Sequence, residues 1–258
     1  MSFLNQKFVK RLTQSSDELL VQDTSGRDGV NETDDRPIAE ALQRRISTRA
    51  FLPTPVPQAK VQKVLEAARW APSGGNLQPW RVIVVAGEAR QRVIDLAAQT
   101  LAANPLGEPT DRPIYPPQLW EPFRTRRFEV GEQLYALLGI ERADKAGRFA
   151  QIARNFQFFD APVGLFFVID ARMGHGQWAH LGMFMLAVAL AAQEEGLATC
   201  MQEAWGALRP SLKAHFQLDD SEMVYAGLAL GHADPAAAVN HLRSPRVAVE
   251  DFTRFDGF

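Results

Sequence analysis

Two short stretches of the chain decide the prediction of its fold: RRISTRAF at residues 44–51 and APSGGNLQPW at residues 71–80. The first stretch contains three arginines and two hydroxyl side chains within six residues. Guanidinium groups bind phosphate through a planar fork of N–H donors, and a hydroxyl can satisfy a further phosphate oxygen. The second stretch is a turn whose glycines allow a ligand to approach the backbone closely. Together they predict an anion site followed by a site for a flat ligand.

Each stretch taken alone also has a purely structural interpretation. Arginines at the carboxyl end of a helix interact favourably with the helix dipole, so residues 44–49 could be a solvated helix end. Residues 71–80 could end one helix and lead into a strand, with Trp80 filling the core. The pairing of both stretches across a single helix favours the ligand-binding interpretation.

The composition is that of an ordinary soluble globular protein, with 46% hydrophobic and 22% charged residues. The formal net charge of -2 provides no general basic field, so we expect neither a nucleic-acid nor a membrane partner. The apolar run at residues 181–192 is shorter than the roughly 20 residues that a membrane span needs. Residues 1–12 lack the apolar core of a secretory signal. We therefore expect a cytoplasmic protein.

The cysteine and histidine content indicates neither a disulfide nor a metal. Cys200 is the only cysteine, which excludes an intramolecular disulfide and is typical of a reducing compartment. A lone cysteine is more often a small buried hydrophobe than a nucleophile. The five histidines show no metal-ligand spacing, so no metal site is expected.

The apolar periodicity predicts a single domain of mixed helices and strands. Ile38, Leu42 and Ile46 recur every fourth residue, and a similar stripe follows Pro57, so two helices flank the first stretch. Short β-branched runs are typical of strands. Helices are predicted from Pro37 into the arginines, from Pro57 to Pro72, and over residues 88–102, 131–138, 144–158, 178–195 and 208–216, and strands over residues 81–85, 163–169, 198–201 and 224–230.

The organisation along the chain is an arm followed by one domain with an insertion. Residues 1–33 are polar and predict a flexible amino-terminal arm, and residues 34–258 form the domain. Residues 104–122 contain six prolines and little periodicity, which is typical of a lid, an insertion or a disordered loop. We expect residues 104–160 to be this lid or insertion.

At this order and spacing, Arg-x-Ser-x-Arg-x-Phe followed by Ala-Pro-Ser-Gly-Gly-Asn-x-Gln-Pro-Trp resembles the nitroreductase family of flavin mononucleotide (FMN) enzymes. Further matches lie at residues 160–163, 196–204 and 231–246, so the resemblance spans about residues 37–258. It implies an α+β fold, with a mixed or antiparallel central sheet flanked by helices, in an intertwined homodimer. The insertion resembles the branch that includes nitrobenzoate reductases.

The resemblance also implies which residues bind the cofactor. By position they are Arg45, Ser47, Arg49, Pro72, Ser73, Gly74, Asn76, Met201, Gln202, Glu203, Ala204, Arg243 and Arg246. The first arginine stretch would hold the FMN phosphate and ribityl chain, with Arg243 or Arg246 as a second phosphate contact. The turn at residues 72–76 would come from the partner subunit. Backbone groups of residues 201–204 would face the flavin ring, with an amide near Glu203 or Ala204 directed at N5.

Two positions depart from the pattern of some family members. Residues 201–204 lack both the proline and the glycine of Pro-x-Glu-Gly, and Ile46 replaces a polar residue. Neither change removes a charge that the cofactor needs. The change at residues 201–204 affects the predicted geometry of the loop at N5.

The implied activity is an FMN-dependent oxidoreductase that uses NADPH or NADH to reduce nitroaromatic or related acceptors, in ping-pong two-electron steps. The cofactor supplies this chemistry, so no catalytic side chain is assigned. Trp120, Phe123 and Phe128 could stack on an aromatic substrate and Arg124 could meet its carboxylate or nitro group, or these side chains could pack the insertion onto the body.

Other activities share the same cofactor residues. A reductase of free flavin, quinones or enones and a reductive dehalogenase of the same family would be identical at these positions. A non-catalytic flavin-binding protein and an arginine-dependent nucleic-acid binder belong to other classes, and the net charge disfavours the second. The motifs therefore predict the cofactor and leave the electron acceptor open.

Overall fold

The computed structural model describes residues 37–258, and the predicted arm at residues 1–33 lies outside the described residues. Seven helices and four strands follow one another along this part of the chain. They are α1 Pro37–Arg44, α2 Gln58–Ala68, β1 Arg81–Ala86, α3 Gly87–Ala103, α4 Phe123–Leu137, α5 Lys145–Ala153, β2 Val163–Asp170, α6 His175–Glu194, β3 Ala198–Gln202, α7 Arg209–Phe216 and β4 Glu222–Gly231. Single 3-10 turns include Gly74–Asn76, Arg154–Asp160, Glu203–Leu208 and Ala238–His241.

The four strands form one antiparallel sheet in the order β1-β2-β4-β3. The predicted α+β class is confirmed, and of the two predicted sheet types the described residues form the antiparallel one. The register between β2 and β4 shifts after Phe167, where Phe167 is opposite Ala226 and Val168 is opposite Val224. This bulge leaves Tyr225 unpaired, and Tyr225 packs on the same face of the sheet as Ala226.

Two cores cover the two faces of the sheet because side chains alternate along its central strands. Along β2, Leu165 and Phe167 belong to the core that α2 and α6 cover, whereas Phe166 and Val168 belong to the opposite core under α3 and α7. A strand that is buried on both faces reads as a continuous apolar run. This explains why residues 163–169 could be predicted as a central strand.

The insertion differs from its sequence prediction at two places. Helix α4 begins at Phe123, eight residues before the predicted residue 131, and none of its residues is buried. An exposed helix lacks the apolar stripe from which a start can be predicted. The helix predicted over residues 144–158 ends at Ala153 and continues as a 3-10 turn, in which Phe158 and Phe159 have left-handed backbone angles.

The helices of the described region include none that is long and apolar enough to cross a membrane. Within residues 37–258, no group of three or more His, Cys, Asp and Glu side chains is arranged to hold a metal ion.

Gly227 on β4 provides a test of the packing behind the Glu203–Leu208 turn. A methyl group at this position would overlap the buried indole ring of Trp205. We expect Gly227→Ala to lower the free energy of unfolding by about 1–3 kcal/mol, the usual cost of overpacking a core. Gly176→Ala is the matched control, because this helical glycine has open space around it. Urea denaturation would measure both, and equal stability of the two variants would contradict the packing argument.

Candidate functional site

The arginines of the first stretch meet those of the carboxyl-terminal segment around one cavity of about 450 Å³. Arg45 and Arg49 line it from the amino-terminal side, and Arg243 and Arg246 line it from the tail. The hydroxyl residues at its wall are Ser47 and Ser244. The structure thus brings together five of the predicted cofactor residues from positions about 200 residues apart in the sequence.

Backbone hydrogen bonds to two other segments hold the first arginine stretch at this cavity. Thr48 N donates to the carbonyl of Thr199 on β3, at 2.9 Å. On the other side, Leu52 N donates to the His232 carbonyl at 2.8 Å, and Phe51 forms an antiparallel bridge with residue 233. These contacts place Arg45, Ile46, Ser47 and Arg49 at one wall of the cavity.

Asn240 joins the arginine stretch to the tail through its side-chain amide. Its Oδ1 accepts from the backbone N–H of Arg49 at 2.9 Å. Its Nδ2 donates to the Ala50 carbonyl at 2.8 Å and to the Asp234 carbonyl at 2.9 Å. Asn240 itself is buried, so these three hydrogen bonds are shielded from water. The 3-10 turn that contains Asn240 leads directly to Arg243 and Arg246, and the same residue therefore fixes both halves of the cavity wall.

The four cavity arginines have no carboxylate within 4.0 Å among the described residues. Three of them donate to nearby carbonyl and hydroxyl oxygens instead: Arg49 to Ser47 O at 3.3 Å, Arg243 to Asn240 O at 3.3 Å, and Arg246 to Ser244 Oγ at 3.0 Å. Four positive charges at one cavity of a chain with a net charge of -2 form a strong local field. A phosphate dianion is the group that such a set of forks and hydroxyls fits.

Cys200 lies beneath the arginines and is buried. Burial raises the pKa of its thiol to about 11, although Arg49, Ser47 and Arg45 act in the opposite direction. The thiol is therefore neutral at pH 7 and is neither a nucleophile nor an anion partner for the guanidinium groups. The prediction that Cys200 is a small buried hydrophobe is confirmed.

Residues 201–204 are the end of β3 and the start of the 3-10 turn, and they do not line the arginine cavity. The side chain of Gln202 points into the core, where its Nε2 donates to the Asn155 carbonyl at 2.7 Å and its Oε1 accepts from Trp205 Nε1 at 3.4 Å. Gln202 can therefore contact a ligand only through its backbone. Partial burial raises the pKa of the Glu203 carboxyl, with Arg209 opposing the shift.

The second stretch forms an exposed turn between α2 and β1, away from the arginine cavity of its own chain. The Ser73 hydroxyl accepts from Gln78 N at 2.9 Å, and Gly74 N donates to His180 Nδ1 on α6 at 3.4 Å. Trp80 stacks on Phe184 with ring centroids 4.7 Å apart and packs, partly buried, against the core, as the structural interpretation of this stretch expects. The cofactor contacts predicted for this turn thus remain a prediction, because they need a second subunit. The residues concerned are Pro72, Ser73, Gly74 and Asn76.

The predicted substrate residues lie in the insertion. Trp120, Arg124 and Phe128 line a second, open cleft, and Phe123 lines the adjoining hollow with Trp120. The three aromatic side chains are exposed, so they contribute little to packing the insertion onto the body. Arg124 is paired with Glu121, at 2.7 Å between Nε and Oε1.

Comparison with known proteins identifies the family. The family model described as Nitroreductase family matches residues 42–232, from the arginine stretch to the end of β4. This chain belongs to the nitroreductase family. It is 39% identical over 218 residues to a nitrobenzene nitroreductase of Ectopseudomonas oleovorans, covering 84% of this chain and 96% of that protein. It is 38% identical over 229 residues to a 4-nitrobenzoate reductase of Pseudomonas putida, covering 88% and 97%.

Solved structures of other nitroreductases have the same fold. The FMN and NADPH-dependent nitroreductase NfnB from Sphigopyxis sp. strain HMH is 45% identical, with a TM-score of 0.83, over 85% of this chain and 99% of that one. The FMN-dependent NfnB from Mycobacterium smegmatis, in complex with NADPH, is 29% identical with a TM-score of 0.79, over the same shares. The predicted nitroreductase-like fold is confirmed.

Some residues of this nitroreductase site could not be assigned from the sequence. Asn240 was noted only as part of the tail segment, because nothing in the sequence shows that its amide meets Arg49 and Ala50. Ser244 was missed because a serine between two arginines carries no signal of its own. Outside the site, Arg209 hydrogen-bonds Val224 O and Arg112 O and so attaches the start of the insertion to the sheet.

Replacing Asn240 tests whether it positions the arginine wall. Asn240→Ala would leave the Arg49 N–H and the Asp234 carbonyl without their partner, at a cost of about 1–3 kcal/mol each if they stay buried, whereas the Ala50 carbonyl would keep its bond from Asp234 N. We expect a lower melting temperature and an inorganic-phosphate affinity reduced by about tenfold or more. Asn104→Ala is the control, since Asn104 makes one local bond to Thr100 O at the end of α3. Phosphate binding by isothermal titration calorimetry that is equal in both variants would contradict the role of Asn240.

Proposed function

We propose that this nitroreductase is an FMN-dependent oxidoreductase that uses NADPH or NADH to reduce nitroaromatic compounds. The observation that carries the proposal is the convergence of Arg45, Arg49, Arg243 and Arg246 on one cavity without a carboxylate partner in the described chain. Relatives named for nitrobenzene and 4-nitrobenzoate reduction, and structural neighbours named for FMN and NADPH, support it. The location that we propose is the cytoplasm.

In this proposal Arg45, Ser47, Arg49, Arg243 and Arg246 hold the phosphate and ribityl chain of FMN. FMN supplies two-electron transfer between the nicotinamide donor and the acceptor when it is bound. The guanidinium groups fix its anionic end and add positive charge, which favours the binding of a more negative, reduced cofactor. A backbone N–H group near Glu203 or Ala204, at the start of the 3-10 turn after β3, would face the reactive edge of the ring.

We propose that the remaining ring contacts come from residues 72–76 of a second copy of the chain, in a homodimer. An apolar patch around this turn supports the proposal: Trp70 before it is 80% exposed, Leu77 after it is 55% exposed, and Met183 on the neighbouring α6 is 47% exposed. Apolar side chains grouped in this way mark interaction surfaces. In the same proposal residues 34–258 form one FMN-binding domain, and residues 104–160 form its lid.

Removal of one guanidinium tests the cofactor assignment. We expect Arg49→Ala to bind FMN about ten- to hundredfold more weakly, because a charge-assisted hydrogen bond contributes about 1.5–3 kcal/mol. Arg49→Lys keeps the positive charge but loses the planar set of N–H donors, so its affinity for FMN should lie between those of Arg49→Ala and the wild type. Absorbance of dialysed protein and fluorescence titration with FMN would measure the loss.

Arg254→Ala is the matched control, because this exposed arginine of the tail pairs with Asp256 and does not line the phosphate cavity. It should bind FMN like the wild type and reduce nitrobenzene with NADPH at the same rate. Full FMN occupancy in an Arg45→Ala, Arg49→Ala double variant would overturn the cofactor assignment. A wild-type protein that binds FMN but is not reduced by NADPH or NADH would overturn the enzymatic one.

Mixed dimers test whether each site is shared between subunits. Arg49→Ala and Asn76→Asp each damage both sites of their own homodimer, and Asp can keep the left-handed backbone of Asn76. A heterodimer of the two variants would hold one site with both defects and one intact site. We therefore expect co-expression with two affinity tags to restore about half of the wild-type activity. No recovery in a purified heterodimer would place both elements in one subunit.

A further inference from the structure

The insertion contains a second cavity, which the cofactor assignment does not use. This cleft has a volume of about 1170 Å³ and lies between residues 117–121, helix α4 and residues 142–148. Helix α4 separates it from the phosphate cavity: Val130 lines the phosphate cavity, and the next residue, Gly131, lines the cleft. The two cavities are therefore close neighbours on the two sides of one helix.

Four arginines and two glutamates line the cleft. Two of the arginines are neutralised within it. Arg148 makes a two-pronged ion pair with Glu132, at 2.6 and 3.0 Å. Arg124 donates to Glu121 at 2.7 Å. These pairs use both carboxylates of the cleft, so the cleft keeps a charge of about +2 from the other two arginines.

The other two arginines, Arg127 and Arg142, have no carboxylate within 4.0 Å among residues 37–258. Each guanidinium lies over an aromatic ring, with Arg127 Cζ 4.2 Å from the ring centre of Tyr115 and Arg142 Cζ 5.2 Å from that of Phe128. Stacking of this kind uses the flat face of the guanidinium and leaves its N–H edge available. The rings therefore fix the position of both guanidinium groups and leave their N–H groups available to a ligand.

The same cleft presents aromatic surface to solvent. Trp120 is 59% exposed and Phe128 is 49% exposed, and both line it. Exposed rings beside unpaired guanidinium groups fit a ligand that combines a flat aromatic base with a phosphate. The volume is larger than one substituted benzene ring needs, since pockets of about 300–1,000 Å³ already take drug-sized ligands.

We propose that this cleft binds the adenosine end of NADPH, with the 2′-phosphate on Arg127 and Arg142 and the adenine on the aromatic side chains. The inference rests on the proposed function, because it assigns a site to the hydride donor of that reaction. A phosphate dianion can accept hydrogen bonds from two guanidinium groups, whereas the carboxylate of an aromatic acceptor pairs with one. The cleft thereby makes NADPH the better donor and NADH the poorer one.

Binding of 2′,5′-ADP to the FMN-loaded protein tests the cleft without requiring a reaction. We expect Arg127→Gln and Arg142→Gln each to weaken this binding about tenfold by isothermal titration calorimetry. Arg126→Gln is the matched control, because Arg126 is on the same helix and stacks on Phe123 but does not line the cleft. Its affinity should equal that of the wild type. No binding to the wild type, or equal losses in all three variants, would overturn the proposal.

Steady-state kinetics give the second readout. In Arg127→Gln and Arg142→Gln, we expect the KM for NADPH to rise about tenfold with kcat unchanged, and the KM for NADH to stay constant. A rise in the KM for 4-nitrobenzoate instead, with nitrobenzene and NADPH unaffected, would overturn the proposal and assign the cleft to the acceptor. Arginine-dependent 2′,5′-ADP binding by a protein that reduces no nitroaromatic compound would refute the proposed function and support the cleft.

Discussion

The three hydrogen bonds of the buried Asn240 amide are the constraint on which the rest of the site depends. They join the backbone at Arg49 and Ala50 to the segment at Asp234, and they reinforce the backbone bonds that join the same two distant parts of the chain. Four guanidinium groups around one cavity repel one another, and this repulsion works against the folded chain. The backbone must therefore be fixed by interactions that do not involve the charges. A bound phosphate would then reduce the repulsion among the four guanidinium groups, which these hydrogen bonds already oppose in its absence.

The opposite end of the site depends on packing rather than on charge. Gly227 provides the space for the indole ring of Trp205, and Trp205 donates to Gln202 at the end of β3. The 3-10 turn from Glu203 thus begins at a position set by two buried side chains. Because a core is close-packed, a small change of volume there would move the backbone that follows it.

The sequence was sufficient to predict those parts whose signal is local. The apolar run of β2 and the arginine spacing before Phe51 both follow from neighbouring residues: the strand is confirmed, and the predicted arginines lie at one cavity, while their role in binding the cofactor stays a prediction. The role of Asn240 depends on contacts across 190 residues, so no local pattern contains it. The early start of α4 was missed for a different reason. None of its residues is buried, and apolar periodicity can only reveal a helix that buries one of its faces.

Helix α4 has no buried residue, so its stability must come from its surface. Arg126, Arg127, Arg142 and Arg148 each stack on an aromatic ring of the insertion, and the ion pair of Arg148 with Glu132 links α4 to α5. Such contacts contribute about 0.5–1 kcal/mol each at exposed sites, much less than a buried core. An insertion held in this way can shift at little cost in free energy. A ligand phosphate that bridges Arg127 and Arg142 would add a link between α4 and the segment after it, so ligand binding and the ordering of the insertion should reinforce each other.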